Sequence, residues 1–423
     1  MKYNTTDYIK TAFGVILFRI LLDCTYYFCI APVYEYAGFG ISFTSLHYSL
    51  SWIFCLYSLL FIGGRLTKFS DYFFIMAVLS IIVPLTSLYG FDSARDITPV
   101  ITSLVSFNLI YLIIQTKFIS FKACPKVRNG PRLAAITSIS FVFFLVVWYL
   151  ISGVKLNINL ENVYDFREAN TKLSAIGLLA YTNSWTYQIF NTFLMSLSLF
   201  FQKYFLFLFF LVIQIYFFAA SAHKGVLFFP LLVLSIWFYF RKTSSLAILP
   251  TLFNSLLIII LGTFFLLKNI FLASLFARRV FFVPANLTYV YFDFFNTHSH
   301  VFWSNSILKA FIHYPYTESL PLVIGDYIGF KGMAANNGFI ATGYANSGFF
   351  GVFIYSLMIG LILKFINNIT EKQTPVWLAV MICIVPVNNL LTSSDLFTTM
   401  LTHGFLISII LLFLTRTKTK EPI

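Results

Sequence analysis

The chain reads as an all-α polytopic membrane protein of about twelve transmembrane helices with one large extracytoplasmic loop, and three observations predict that class. Hydrophobic residues make up 59% of the 423 and charged residues only 10%. The apolar residues fall in runs of about 20, the length that crosses a hydrocarbon core as a helix. The basic residues gather in alternate inter-run segments, as short cytoplasmic loops do.

In chain order the runs predict spans at 10–30, 44–63, 71–90, 99–116, 133–152, 174–201, 204–220, 225–240, 246–267, 346–366, 376–392 and 396–414. The first begins near Lys10 and lacks a small-residue cleavage site after a short apolar core, so it reads as a retained anchor. With the N-terminus inside, 17 of the 28 Lys and Arg residues fall in cytoplasmic segments. Both termini are then cytoplasmic, and the formal charge of +13 reports topology without calling for a nucleic-acid partner. The five cysteines fall in spans or a cytoplasmic loop and form neither a disulfide framework nor a zinc pattern. The whole of 1–423 reads as one integral membrane domain.

Within the first span, Arg19 and Asp23 lie four residues apart and can pair on one helical face. Such a pair either lines a hydrophilic pathway or knits helices together as a neutralised unit. The segment Asp92-Ser-Ala-Arg95-Asp96 is short and charge-mixed and reads as a solvated turn. In the external segment 153–173, Arg167 is a candidate phosphate fork, with Asp165 and Glu168 close enough to neutralise it instead. The outer half of the sixth span sets Asn183 and Gln188 among aromatics, which suits a sugar-binding wall or interhelical hydrogen bonding. His223-Lys224-Gly225 forms a tight external turn, either an interface anchor or a contact at headgroup height.

The segment 268–346 organises the rest, because no other external segment is as long or as rich in reactive groups. Ile270 to Val283 reads as an amphipathic helix stopped by Pro284, with Arg278 and Arg279 near its end. Asp293, His298, His300 and Asn305 follow among aromatic residues, in surroundings that shift proton affinities. His298 and His300 could suggest a metal, but a catalytic zinc normally takes three protein ligands and only Asp293 is near as a third, so none is expected. A glycine-rich run from Gly325 to Gly351 surrounds Asn336 and Asn337, permitting either close approach to a ligand or a simple return into the tenth span.

The run Arg278-Arg279-Val-Phe-Phe-Val-Pro284, leading through Asp293 and His298-Ser-His300 to Trp303-Ser-Asn305 and then Asn336-Asn337-Gly338-Phe339, resembles the repeat-unit polymerases of bacterial surface polysaccharides, the Wzy or O-antigen polymerase group. The resemblance covers essentially the whole chain and implies the architecture of the GT-C-type glycan polymerases and ligases. It implies transfer of a growing glycan from an undecaprenyl diphosphate donor to another lipid-linked repeat unit at the outer face of the bacterial inner membrane, with no cofactor. The partners implied are the lipid-linked donor and acceptor, membrane lipid, and a chain-length regulator and flippase of the same pathway. Such chemistry needs a base and positive charge at the departing diphosphate. Arg278, Arg279, Arg167 and Lys224 are the diphosphate candidates. His298 and His300 rank above Asp293 as base, because an imidazole lies near neutrality without large tuning. Asn183, Gln188, Asn305, Asn336 and Asn337 are the sugar candidates. The rival readings are a flippase for the same lipid-linked oligosaccharide and an O-antigen ligase. Transporters often show repeated halves with a site at mid-membrane, and no repeat is visible.

Overall fold

The computed structural model describes residues 5–117, 121, 126–158, 166, 170, 172–173, 177–371 and 374–416. Among these residues the fold is helical throughout, with two isolated β-bridges and no strand. Seven helices are long and apolar enough to cross a membrane: Thr5–Ala37, Phe69–Phe91, Thr98–Gln115, Gly130–Ile151, Tyr204–Ser221, Ile248–Leu267 and Phe339–Thr370. Shorter apolar helices are Ser45–Phe61, Lys224–Phe240, Val376–Thr392 and Phe405–Leu414. The chain is therefore a multi-pass all-α membrane protein.

Every segment read as a span contains helix among the described residues, with breaks at Gly348 and before Phe405. The segment 396–414 is two helices, Leu396–Leu401 and Phe405–Leu414, parted at Gly404, whose φ of +72° suits glycine. The segment 268–346 is far from structureless. A π-helical stretch Ala273–Phe282 runs directly into Val283–Thr297, so Pro284 does not end the helix as expected. The π turns end just before it, and Pro284 falls in the first turn of the following α-helix, a position that proline tolerates.

The chain divides into two compact units. The first comprises Met1–Ile119, Ser245–Lys364 and Asn388–Leu396. Its centre is Phe69–Phe91, 94% buried against only 22% for Ile248–Leu267, which leaves the latter's apolar face for lipid. Ile248–Leu267 packs along Thr5–Ala37 where Gly14 lets Pro250 approach; a Cβ at Gly14 would lie 2.9 Å from the Pro250 ring. The Asn254 amide donates to the Gly14 carbonyl at 3.0 Å and fixes that crossing.

Arg19 is completely buried, and every guanidinium nitrogen makes a hydrogen bond. It donates to Asp23 at 2.8 Å, to Thr86 Oγ1 at 2.7 Å and to Ser51 Oγ at 2.9 Å. Asp23 also accepts from Ser87 and Tyr48. A pair closed in this way ties three helices together and offers no hydrophilic path.

Loops assigned by charge to one side meet one another in this unit. Arg65 pairs with Asp7, and Leu246 N donates to the Gly64 carbonyl at 3.0 Å. At the other end of Thr5–Ala37, Ser93 N donates to the Ser42 carbonyl at 2.9 Å and Arg95 reaches Gly38 and Asn286.

The second unit comprises Ser120–Ser244, Phe365–Val387 and Phe397–Ile423. Here Asn191 donates to Gln214 Oε1 at 2.6 Å, and Gln214 donates to the Tyr187 and Val226 carbonyls, joining three helices through their polar side chains. Phe141 stacks on Phe190 with centroids 4.5 Å apart, and Asn157 N donates to the Ala219 carbonyl at 2.8 Å.

Candidate functional site

A cavity of about 520 Å³ opens in the first unit at the Ala37 end of its first helix. That is the size of a small-ligand site. Its walls come from three places in the sequence: Tyr36 to Gly38, Asp92 to Pro99, and the Val283–Thr297 helix with Asn286, Tyr289, Asp293 and Asn296. The last wall lies there because Ala285, Tyr289 and Phe292 are buried, which turns Asn286, Asp293 and Asn296 toward the opening.

Arg95 holds these walls together. Its guanidinium donates to Asn286 Oδ1 at 2.9 Å and to the Gly38 carbonyl at 2.6 Å, lies 3.2 Å from Asp92 Oδ2 and stacks 4.8 Å above the Tyr289 ring. The Asp92–Asp96 segment is a partly exposed turn, as read, but Arg95 anchors it as a cavity wall and is a site residue that sequence reasoning missed. Asp96 accepts from Thr98 N and Oγ1 just ahead of the helix Thr98–Gln115.

Asp293 is exposed to the cavity, and its Oδ2 accepts from Tyr327 Oη at 2.6 Å. The hydrogen bond to that carboxylate pushes the Tyr327 phenol above its ordinary value, so it remains a donor at neutral pH. Among the described residues no hydrogen bond joins Asp293 to a histidine; Tyr327, which bonds Asp293, has its ring 6.1 Å from that of His298. His298 stacks on Phe294 at 4.0 Å, and its Nδ1 lies 2.9 Å from the Phe294 carbonyl and 2.9 Å from Thr297 Oγ1. A carbonyl partner assigns the proton to Nδ1 and leaves the Nε2 lone pair as the basic site. His300 stacks on Phe295 and faces Gly348, and its Nδ1 is buried without a hydrogen-bond partner. Neither histidine lines the cavity.

Arg278 stacks 4.3 Å above the Tyr34 ring, and its Nε is buried without a hydrogen-bond partner. Tyr34 lies 6.2 Å from Tyr36, which lines the cavity, and donates to Ser274 Oγ at 2.8 Å. No ion pair of Arg278 or of the exposed Arg279 is found among the described residues. An arginine with donors in hand can hold an anion, though Arg278 does not itself line the cavity.

Among the sugar candidates, Asn305 and Asn336 are exposed. Asn337 is buried and committed to the fold: its Nδ2 donates to the Pro284 carbonyl and to Thr288 Oγ1, both at 3.1 Å, and its Oδ1 accepts from Gly338 N. Gly338 is needed there, because a Cβ would meet the Leu391 carbonyl at 2.1 Å. Asn183, Gln188 and Lys224 belong to the second unit. Asn183 is buried, Gln188 donates to Ser184 Oγ at 2.9 Å, and Lys224 is exposed at the start of Lys224–Phe240. Arg167 lies outside the described residues.

Compared with protein-family models, with curated proteins and with solved structures, the chain matches none.

Proposed function

We propose that this protein is a membrane glycosyltransferase that polymerises undecaprenyl-diphosphate-linked oligosaccharide repeat units at the outer face of a bacterial inner membrane, its chain crossing about twelve times with both termini cytoplasmic. The observation that carries the reading is a sugar-sized cavity bearing Asp293, on a helix that continues from a stretch carrying Arg278, an arginine that no carboxylate neutralises among the described residues. The meeting of loops assigned to the same side supports the topology.

In this mechanism the acceptor sugar stacks on the exposed ring of Tyr36 and hydrogen-bonds Asn286 and Asn296. Asp293 takes the proton from its attacking hydroxyl, a role the geometry favours over His298 or His300 because it alone of the three lines the cavity. The hydroxyl oxygen bonds to the anomeric carbon as the bond to diphosphate breaks. Arg278 and Arg279 receive the charge that develops on the leaving diphosphate.

Deleting the chain from its host and displaying the surface glycan on a gel tests this. The expected result is single repeat units in place of a ladder, with the ladder restored by the wild-type chain. Loss of all attached glycan would contradict polymerisation and point to a flippase or ligase.

A further inference from the structure

A second cavity, of about 470 Å³, opens at the Thr5 end of the first helix, away from the Asp293 site at its Ala37 end. Its lining includes apolar Phe61, Ile62, Phe74 and Ile114 together with the charged Arg65, Lys68 and Asp71. The nearby carboxylates are occupied. Asp71 Oδ2 accepts from Thr67 N, Thr67 Oγ1 and Lys68 N within 2.9 Å, capping the helix Phe69–Phe91, and Asp7 pairs with Arg65. The loop is held close to that pair: a Cβ at Gly64 would meet Tyr8 N at 2.4 Å. No carboxylate pairs with the Lys68 ammonium among the described residues.

We infer that this cavity binds one anionic phospholipid, an acyl chain lying on the apolar side chains and the headgroup phosphate on Lys68 and Arg65. The lining matches both halves of such a molecule: hydrocarbon has Phe61, Ile62, Phe74 and Ile114 to cover, and an anionic headgroup supplies the counter-charge Lys68 lacks. A neutral lipid meets only the first demand, and a soluble phosphate only the second. Basic pockets between membrane helices hold anionic headgroups for the same reason, each basic side chain near the surface adding roughly five-fold to affinity.

Native mass spectrometry of the full-length protein in neutral detergent tests this, using dioctanoyl phosphatidylglycerol, dioctanoyl phosphatidylcholine and glycerol 3-phosphate as probes. The expected result is one phosphatidylglycerol retained at least about five-fold more tightly than phosphatidylcholine, and not displaced by glycerol 3-phosphate. Lys68→Gln should bring that site to the phosphatidylcholine level, while Lys68→Arg should keep the preference, which separates charge from misfolding. Equal retention of the two lipids, an unchanged preference in Lys68→Gln, or displacement by glycerol 3-phosphate would overturn the inference.

Discussion

Replacing Arg278 by alanine removes a guanidinium whose Nε is buried without a partner and whose plane rests 4.3 Å above Tyr34. The resting structure loses little: a cation–π contact at a partly exposed site contributes about 0.5–1 kcal/mol, and no ion pair is broken among the described residues. The transition state loses far more. A charge-assisted contact to a developing diphosphate charge in a water-poor site is worth about 2–4 kcal/mol, a slowing of roughly thirty-fold to several hundred-fold. Arg278→Lys keeps the charge but neither the flat stack on Tyr34 nor the fork, so most of the loss should remain. The assay is chain extension by purified protein on synthetic lipid-linked repeat units, read as product-length distribution over time, with thermal unfolding of each variant as control. Extension within a few-fold of wild type in folded Arg278→Ala would refute the diphosphate role.

Tyr327→Phe deletes the 2.6 Å hydrogen bond to Asp293, and extension should slow with little change in folding. Because the Tyr327 phenol is raised in the folded protein, its contribution to stability should be fully present below its ordinary value near 10 and fade as pH rises through the higher folded value; pH-dependent melting of wild type against Tyr327→Phe checks this. Breaking the buried pair by Arg19→Met alone should destabilise by about 3–5 kcal/mol through the stranded Asp23, and Arg19→Met with Asp23→Leu should recover part of that in thermal unfolding. Gly348 breaks Phe339–Thr370 at φ +61°, ψ −141°, so Gly348→Ala should lower stability by about 1–3 kcal/mol. The Cβ itself is tolerable there, meeting His300 only at 3.6 Å.

The helices were legible because hydrocarbon demands long apolar runs, and the Arg19–Asp23 pair was legible because a four-residue spacing is a local fact. Asp293 and Arg278 stood out as charges in a long segment between spans. Arg95 did not, because its burial depends on Gly38, Asn286 and Tyr289, two of them nearly two hundred residues away. Locally its acidic neighbours make it look like any solvated turn. The helix beyond Pro284 was hidden for a related reason: a proline at a first turn and one that ends a helix look alike in sequence, and the π-helical stretch that decides between them is set by packing on other helices. The rank of His298 and His300 over Asp293 rests on chemistry alone; we propose Asp293 first because it alone of the three lines the cavity.

The most direct test of the proposed chemistry is the extension rate of purified Asp293→Asn. Asparagine still offers an oxygen to the Tyr327 hydroxyl and fills the same space, so the wall should survive while the proton acceptor is lost. The account predicts a slowing of about a hundred-fold to ten thousand-fold, with single repeat units accumulating in place of long glycan. Long glycan made at the wild-type rate by folded Asp293→Asn would contradict it.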